Sequence, residues 1–315
     1  MSMDPHTGAV KAYVGGIDYD HFKYDMVMGG RRQVGSTIKP FLYALAMQNG
    51  MTPCTTLRNV QHSYGGWTPR NGSHARYGQQ VPLKWALQHS NNWISASLST
   101  TLGPQQFVGI LHDFGLNNPD IDRNATPVLS LGPCEVSVGE MVSAYTAFAN
   151  GGVRCAPLFV TKIEDSHGNV IAKFQPLMTE VISEDNSYRM IDMMRAVIDG
   201  GTGSRLKGAY GMKGDICGKT GTTNSNSDGW FIAFTPELVS GAWVGGEDRD
   251  IHFDSTSLGQ GAAAALPIWA YFMKKVYADH QLGYSDKPQF AIPKDFDFCS
   301  TSEDTDVNDI QEVYF

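Results

Sequence analysis

Residues 212–245 read MKGDICGKTGTTNSNSDGWFIAFTPELVSGAWVG, and this stretch decides the fold. Three strand-like runs, 212–219, 228–234 and 237–245, are joined by short polar turns, so adjacent antiparallel pairing is the natural reading. Leu266, Ile268, Trp269, Phe272 and Met273 then mark a helix over 260–278 that could cover one face of such a sheet. Upstream, residues 8–15 alternate as a strand ending in Gly15-Gly16, and helical patterns occupy 83–100, 104–114 and 185–199. Ser137-x-x-Glu140 forms a capping box ahead of a helix over 141–149 that Gly151-Gly152 closes. Strands are expected at 157–164 and 169–174, and residues 53–82, rich in Gly, Asn and Pro, read as a long surface excursion. A strand, a block of helices, an antiparallel meander and a closing helix predict an α+β fold, with helices packed on a central antiparallel sheet.

At 315 residues and 34.4 kDa, with 42% hydrophobic and 18% charged residues, the chain can bury a substantial core. No run approaches the roughly 18 uninterrupted apolar residues of a membrane helix, and no secretory leader is visible. The chain runs almost directly from Met1 into the strand Ala9-Val10-Lys11-Ala12-Tyr13-Val14, so a domain with targeting segments upstream is expected. The net charge is -8, of which residues 286–315 carry -6 through eight acidic residues against Lys287 and Lys294. That stretch reads as a solvated acidic tail, separate from a domain spanning 1–285. The body carries no basic stripe, which argues against nucleic acid as a partner. Five scattered cysteines, with no C-x-x-C and no H-x-x-x-H, support neither a metal site nor a disulfide framework, although an oxidising compartment would permit one bridge. No cofactor is implied.

Ser36-Thr37-Ile38-Lys39 precedes the apolar run Pro40-Phe41-Leu42-Tyr43-Ala44-Leu45-Ala46-Met47, which reads as a buried helix. A serine hydroxyl is a weak nucleophile until a neighbouring base takes its proton. Spacing i, i+3 sets serine and lysine on one helix face, and the helix start supplies unpaired N–H groups for a developing oxyanion. The same pattern recurs at Ser204-Arg205-Leu206-Lys207, but among glycines and with no apolar helix behind it, so Ser36 is the candidate. Ser90-Asn91-Asn92 is the only S-x-N in the chain and Lys219-Thr220-Gly221 the only K-[ST]-G, 54 and 183 residues after Ser36. S-x-x-K, S-x-N and K-T-G in this order are the motif set of penicillin-binding proteins and serine β-lactamases. Cys217, two residues before Lys219, shares its strand face and reads as a core residue.

Longer stretches carry a more specific resemblance. Asp4-Pro5-His6-Thr7-Gly8-Ala9-Val10, Arg32-Gln33-Val34-Gly35-Ser36-Thr37-Ile38-Lys39-Pro40-Phe41 and Gly201-Thr202-Gly203 resemble the transpeptidase domain of class A penicillin-binding proteins. So do Gly218-Lys219-Thr220-Gly221-Thr222-Thr223 with Trp230-Phe231, and Ala144-Tyr145 followed by Phe148-Ala149-Asn150-Gly151-Gly152. The likeness runs from about residue 4 to about residue 278 and implies helices on both sheet faces. It implies a peptidoglycan D,D-transpeptidase at the extracytoplasmic face of the membrane, with a glycosyltransferase domain and a membrane anchor upstream.

By that resemblance Ser36 attacks a D-Ala-D-Ala stem peptide, and Lys39, neutral through burial and the neighbouring Lys219, is the general base. Ser90 relays the proton to the leaving amine, and Asn92 holds the peptide amide. Lys219, Thr220 and Thr222 bind the terminal carboxylate, Gly221 belongs to the same substrate-binding stretch, and the backbone N–H groups of Ser36 and Thr222 form the oxyanion hole. β-Lactams acylate the same serine. The alternatives are a D,D-carboxypeptidase, a β-lactamase, for which Glu135 or Glu140 would have to activate water, and a non-catalytic β-lactam sensor. Both glutamates sit where a helix start favours acidic residues, so the capping role is preferred for each.

Overall fold

A computed structural model describes residues 1–300. Five strands form one sheet: β1 (Ser2–Met3), β2 (Val10–Ala12), β4 (Cys217–Thr222), β5 (Asp228–Phe234) and β6 (Val239–Gly245). A separate short strand, β3 (Arg32–Gln33), pairs outside it. The sheet order is β4-β5-β6-β1-β2 with every neighbouring pair antiparallel, so the meander expected from residues 212–245 forms one side of the sheet. Its first strand begins later than expected, at Cys217. Gly214 at φ +97° still belongs to the preceding turn.

Side-chain alternation along β5 divides the core. Trp230, Ile232 and Phe234 enter the larger apolar cluster, whereas Phe231 and Ala233 enter a smaller one on the opposite face. The smaller cluster is sealed by α7 (Leu266–Ala278), whose Trp269 meets Phe231 edge-on at 5.9 Å. The helix expected over 260–278 is two pieces: a turn at Gly261–Ala264, then α7, because Pro267 is tolerated only in a first turn.

The larger cluster holds α1 (Lys39–Gln48), α2 (Leu83–Gln88), α3 (Asn92–Leu102), α4 (Pro104–Asp113), α5 (Val138–Ala149) and α6 (Glu184–Gly200). Helices therefore cover both faces. Phe41, Phe114, Tyr145 and Phe148 pack as one aromatic group, with centroids 5.0 to 5.7 Å apart. The expected capping box is present, with Ser137 Oγ accepting from Glu140 N and Glu140 Oε2 accepting from Ser137 N.

Residues 286–300, expected within a solvated tail, are largely exposed but not detached. Phe290 packs on Phe234, its N–H donates to Asp215 Oδ2, and Phe296 meets Tyr188 and the Arg189 guanidinium. A Cys54–Cys299 disulfide tethers the segment's far end. The rest of that tail, 301–315, lies outside the described residues.

Candidate active site

Three elements converge on one cleft of about 340 Å³, lined by Ser36, Asn71, Ser90, Asn92, Thr202, Thr220, Thr222 and others. The first is the turn ahead of α1. Ser36 lies in a single 3-10 turn, Gly35–Ile38, rather than in the α-helix, which starts at Lys39. Gly35 explains the tight entry. It sits at φ +53°, and a Cβ there would lie 2.7 Å from Thr222 O, so only glycine brings the Ser36 turn this close to the edge strand β4. Gly35 N donates to Gly132 O and Thr37 N to Val34 O, leaving the Ser36 N–H without a backbone partner among the described residues. Tyr145 secures the turn from beneath, its hydroxyl donating to Thr37 O at 2.6 Å.

The second element corrects an expectation. Residues 83–100 are not one helical region: α2 ends at Gln88, α3 begins at Asn92, and Ser90 occupies the link at φ +53°. A left-handed conformation at a non-glycine residue costs about 1 kcal/mol or more and marks a site whose surroundings over-determine it. Here both the carbonyl and the hydroxyl of Ser90 turn toward buried amines. Lys39 Nζ donates to Ser90 O at 2.7 Å and to Asn92 Oδ1 at 2.6 Å, and it lies 3.3 Å from Ser90 Oγ. Lys219 Nζ donates to the same Oγ at 2.9 Å and to Thr220 O at 3.0 Å.

Lys219 comes from the third element, β4, at the edge of the sheet. Thr223 N donates to Asp228 O, which makes that a hydrogen-bonded pair. In an antiparallel ladder the adjacent pair, Thr222 and Gly229, then turns its N–H groups away from each other. Thr222 N–H accordingly faces the open edge, on the side where the Ser36 turn approaches.

Both lysines are fully buried, and neither is paired with a carboxylate among the described residues. Burial, reinforced by the Lys219 cation, holds Lys39 well below the ordinary lysine value. Burial pushes Lys219 down to about 7. An isolated buried ammonium is expensive, so the amine sheds its proton instead. A neutral Lys39 has two N–H donors, matched by the two carbonyl oxygens it contacts, and its lone pair is left for a hydroxyl.

The structure thus brings Ser36, Lys39, Ser90, Asn92, Lys219, Thr220 and Thr222 together, with Gly221 between the last two on β4. Two details differ from expectation. The Ser36 hydroxyl makes no hydrogen bond to Lys39, whose bonds all go to the 90–92 link. The Asn92 amide is already engaged, its Nδ2 donating to Arg70 O while its Oδ1 receives Lys39. Ser204-x-x-Lys207 lies elsewhere, with Lys207 paired to Asp199. Cys217 is buried with its thiol toward Ile191 O, and burial raises its pKa well above the ordinary value.

Several cleft residues escaped the sequence. Thr202 Oγ1 lies 2.7 Å from Thr220 Oγ1, extending the hydroxyl row beside Lys219; Gly201-Thr202-Gly203 belonged to the family resemblance, but nothing in it gave Thr202 a place in the cleft. Asn71 caps α3 by accepting from Asn92 N, and it comes from the 53–82 excursion, where nothing local marks it. Trp85 and His89 stack at 4.5 Å to form a wall. Among the described residues no carboxylate lines the cleft, Glu140 being held by the capping box and Arg31. Nor does any group of His, Cys, Asp and Glu stand ready for a metal there.

The model of the family described as penicillin binding protein transpeptidase domain matches residues 1–244. Penicillin-binding protein 1A of Neisseria lactamica is 34% identical over 290 residues, covering 87% of this chain and 35% of the relative. The Aquifex aeolicus protein of the same name is 35% identical over 285 residues, covering 88% and 37%. The solved structure of penicillin-binding protein 1A from Haemophilus influenzae superposes with a TM-score of 0.81 at 27% identity, covering 93% of this chain and 48% of that one. PonA1 from Mycobacterium tuberculosis gives 0.78 at 25% identity, covering 93% and 78%. The chain spans about a third of the length of the curated relatives it matches.

Proposed function

The chain belongs to the penicillin-binding protein transpeptidase domain family, and from that premise we propose that it cross-links peptidoglycan stem peptides through an acyl-enzyme on Ser36. One observation carries the reading: Ser90 Oγ stands between two buried amines, 3.3 Å from Lys39 Nζ and 2.9 Å from Lys219 Nζ, in the cleft that Ser36 lines.

Ser36 Oγ attacks the carbonyl carbon of the penultimate D-alanine, and its proton passes to the lone pair of neutral Lys39. The transfer requires Lys39 to turn from the 90–92 link toward Ser36, as in other sites whose catalytic hydrogen bonds form only with substrate bound. The Ser36 and Thr222 N–H groups, one unpaired and the other facing the open edge, receive the oxyanion. As the tetrahedral intermediate collapses, the C–N bond breaks and the departing D-alanine nitrogen takes its proton from Lys39 through Ser90. An incoming amine then runs the same steps in reverse, forming the cross-link and freeing Ser36. Lys219, Thr220 and Thr222, with Thr202 beside them, bind the terminal carboxylate, and Gly221 keeps the strand narrow between them. Asn92 steers the donor peptide's amide once substrate displaces one of its present partners.

A β-lactam acylates Ser36 and stays, because its leaving nitrogen remains tethered and, among the described residues, no carboxylate lines the cleft to activate water. This disfavours a β-lactamase. Cross-linking of this kind places the domain outside the cytoplasmic membrane. A membrane anchor and a glycosyltransferase domain belong to the same proposal.

Incubation with a fluorescent penicillin, alongside Ser36→Ala and Ser204→Ala, tests the reading. A long-lived adduct lost only in Ser36→Ala supports it. An adduct that vanishes within seconds while hydrolysed drug accumulates means a β-lactamase, and no adduct removes Ser36 from the mechanism.

A further inference from the structure

Arg32 and Asp228 lie far apart in sequence and join two segments of the cleft. Arg32 is on β3, four residues before Ser36, and Asp228 opens β5, directly across the turn from Thr222-Thr223. Asp228 is fully buried and Arg32 nearly so. Arg32 Nε donates to Asp228 Oδ1 at 2.8 Å, and its Nη1 donates to Gly246 O at 2.9 Å. Trp243 Nε1 also donates to Oδ1, at 3.1 Å, while its ring lies 4.9 Å from the Arg32 guanidinium. The other carboxylate oxygen accepts from Thr223 Oγ1 at 2.8 Å, and Arg249 Nη1 stands 3.9 Å from it. Thr223 Oγ1 in turn accepts from Asp228 N at 3.1 Å. A second strut runs parallel to these, from Trp230 Nε1 to Gln33 O at 2.8 Å.

One carboxylate therefore grips the strand leading into Ser36 with one oxygen and the residue following Thr222 with the other. Resting on the assignment of Ser36 above, we propose that Arg32, Asp228 and Thr223 are positioning residues that set the spacing between the two halves of the oxyanion hole. Direct contact with substrate is not their role: none of the three lines the cleft, and their polar groups are bonded to one another, to Trp243 and to Gly246. A buried ion pair whose carboxylate is bonded on both oxygens suits this task because its directional bonds fix geometry in a way apolar packing does not. An oxyanion hole acts only when both donors point at one place, and a displacement of about 1 Å can cost on the order of 100-fold in rate.

The test separates acylation into the pre-equilibrium constant K for penicillin and the acylation rate constant k2, for Asp228→Asn, Thr223→Val and the conservative Thr223→Ser. A positioning role lowers k2 by about 10- to 100-fold in the first two, leaves K within about threefold, and restores k2 in Thr223→Ser. Amide hydrogen exchange of wild type and variants accompanies the kinetics, with faster exchange expected in 33–37 and 221–224 above any general rise. Should Asp228→Asn fail to fold, Thr223→Val, which removes the bond to the carboxylate and the acceptor of Asp228 N but leaves the Arg32–Asp228 pair intact, decides in its place. Unchanged k2 with lowered stability, or a change in K alone, overturns the inference. If wild type takes no label at Ser36, the functional reading fails, and the exchange of the two segments still decides whether the clamp exists.

Discussion

Raising the pH from 6 to 9 should act on the two buried lysines in opposite senses. Lys219 sits at about 7 because burial penalises its cation. A ligand carboxylate would be a counter-ion for that ammonium, so binding and protonation of Lys219 support each other. With a value near 7, the cationic fraction falls to about one tenth at pH 8 and about one hundredth at pH 9. Apparent affinity for a carboxylate-bearing penicillin should fall in the same ratio. In the proposed mechanism Lys39 works the other way, since a lysine can serve as base only after losing its proton. Its pKa is held well below the ordinary value, so the rise in acylation belongs to the acid side. Stopped-flow acylation should therefore give a bell-shaped k2/K profile whose alkaline limb begins near 7, and a penicillin methyl ester should lack that limb.

The same shift acts on stability. The unfolded chain carries Lys219 near the ordinary 10.5, so between about 7 and 10.5 the folded state binds fewer protons and stability rises with pH. The full span is roughly 5 kcal/mol, from about 3.5 units at 1.36 kcal/mol each. Below 7 both states are protonated and this slope vanishes. A k2/K that stays flat or climbs through pH 9, or an ester that shows the same alkaline limb, would refute the argument.

Three further outcomes follow from particular contacts. Ser90→Ala and Ser90→Gly should both lower acylation by about 10²- to 10⁴-fold. The glycine variant should be about 1 kcal/mol more stable than the alanine one in urea, because it relieves the left-handed strain at φ +53°. Tyr145→Phe keeps the aromatic packing but strips Thr37 O of its buried donor. It should cost about 1–2 kcal/mol of unfolding free energy, read from urea denaturation; no measurable loss would mean that another group satisfies that carbonyl. Cys54→Ser opens a loop spanning 245 residues. The chain-entropy relation sets its effect at up to about 5 kcal/mol, and protease should then cut within 286–300; equal denaturation curves with and without reductant would count against a structural bridge.

The Ser36, Ser90 and Lys219 motifs were legible because each is a short local pattern whose chemistry follows from residue type and spacing. The meander at 212–245 and the Ser137 capping box were legible for the same reason: alternation and caps are properties of adjacent residues. Asn71, Trp85 and the Arg32–Asp228 pair had no such signal, because their roles exist only once distant segments meet. Thr202 had a faint one, in the family resemblance of Gly201-Thr202-Gly203. The break of 83–100 at Ser90 was hidden too, since no local rule calls for a left-handed serine and the bonds to Lys39 and Lys219 hold it there. Residues 286–300 looked like solvated tail because acidic composition is visible in sequence, whereas Phe290 against Phe234 and Cys299 beside Cys54 are not. Sequence alone determined which groups could do acyl-transfer chemistry and the order of the strands that carry them. Tertiary structure alone decided that two lysines 180 residues apart share one hydroxyl in a buried site, where the cost of desolvating charge holds both amines below the ordinary lysine value.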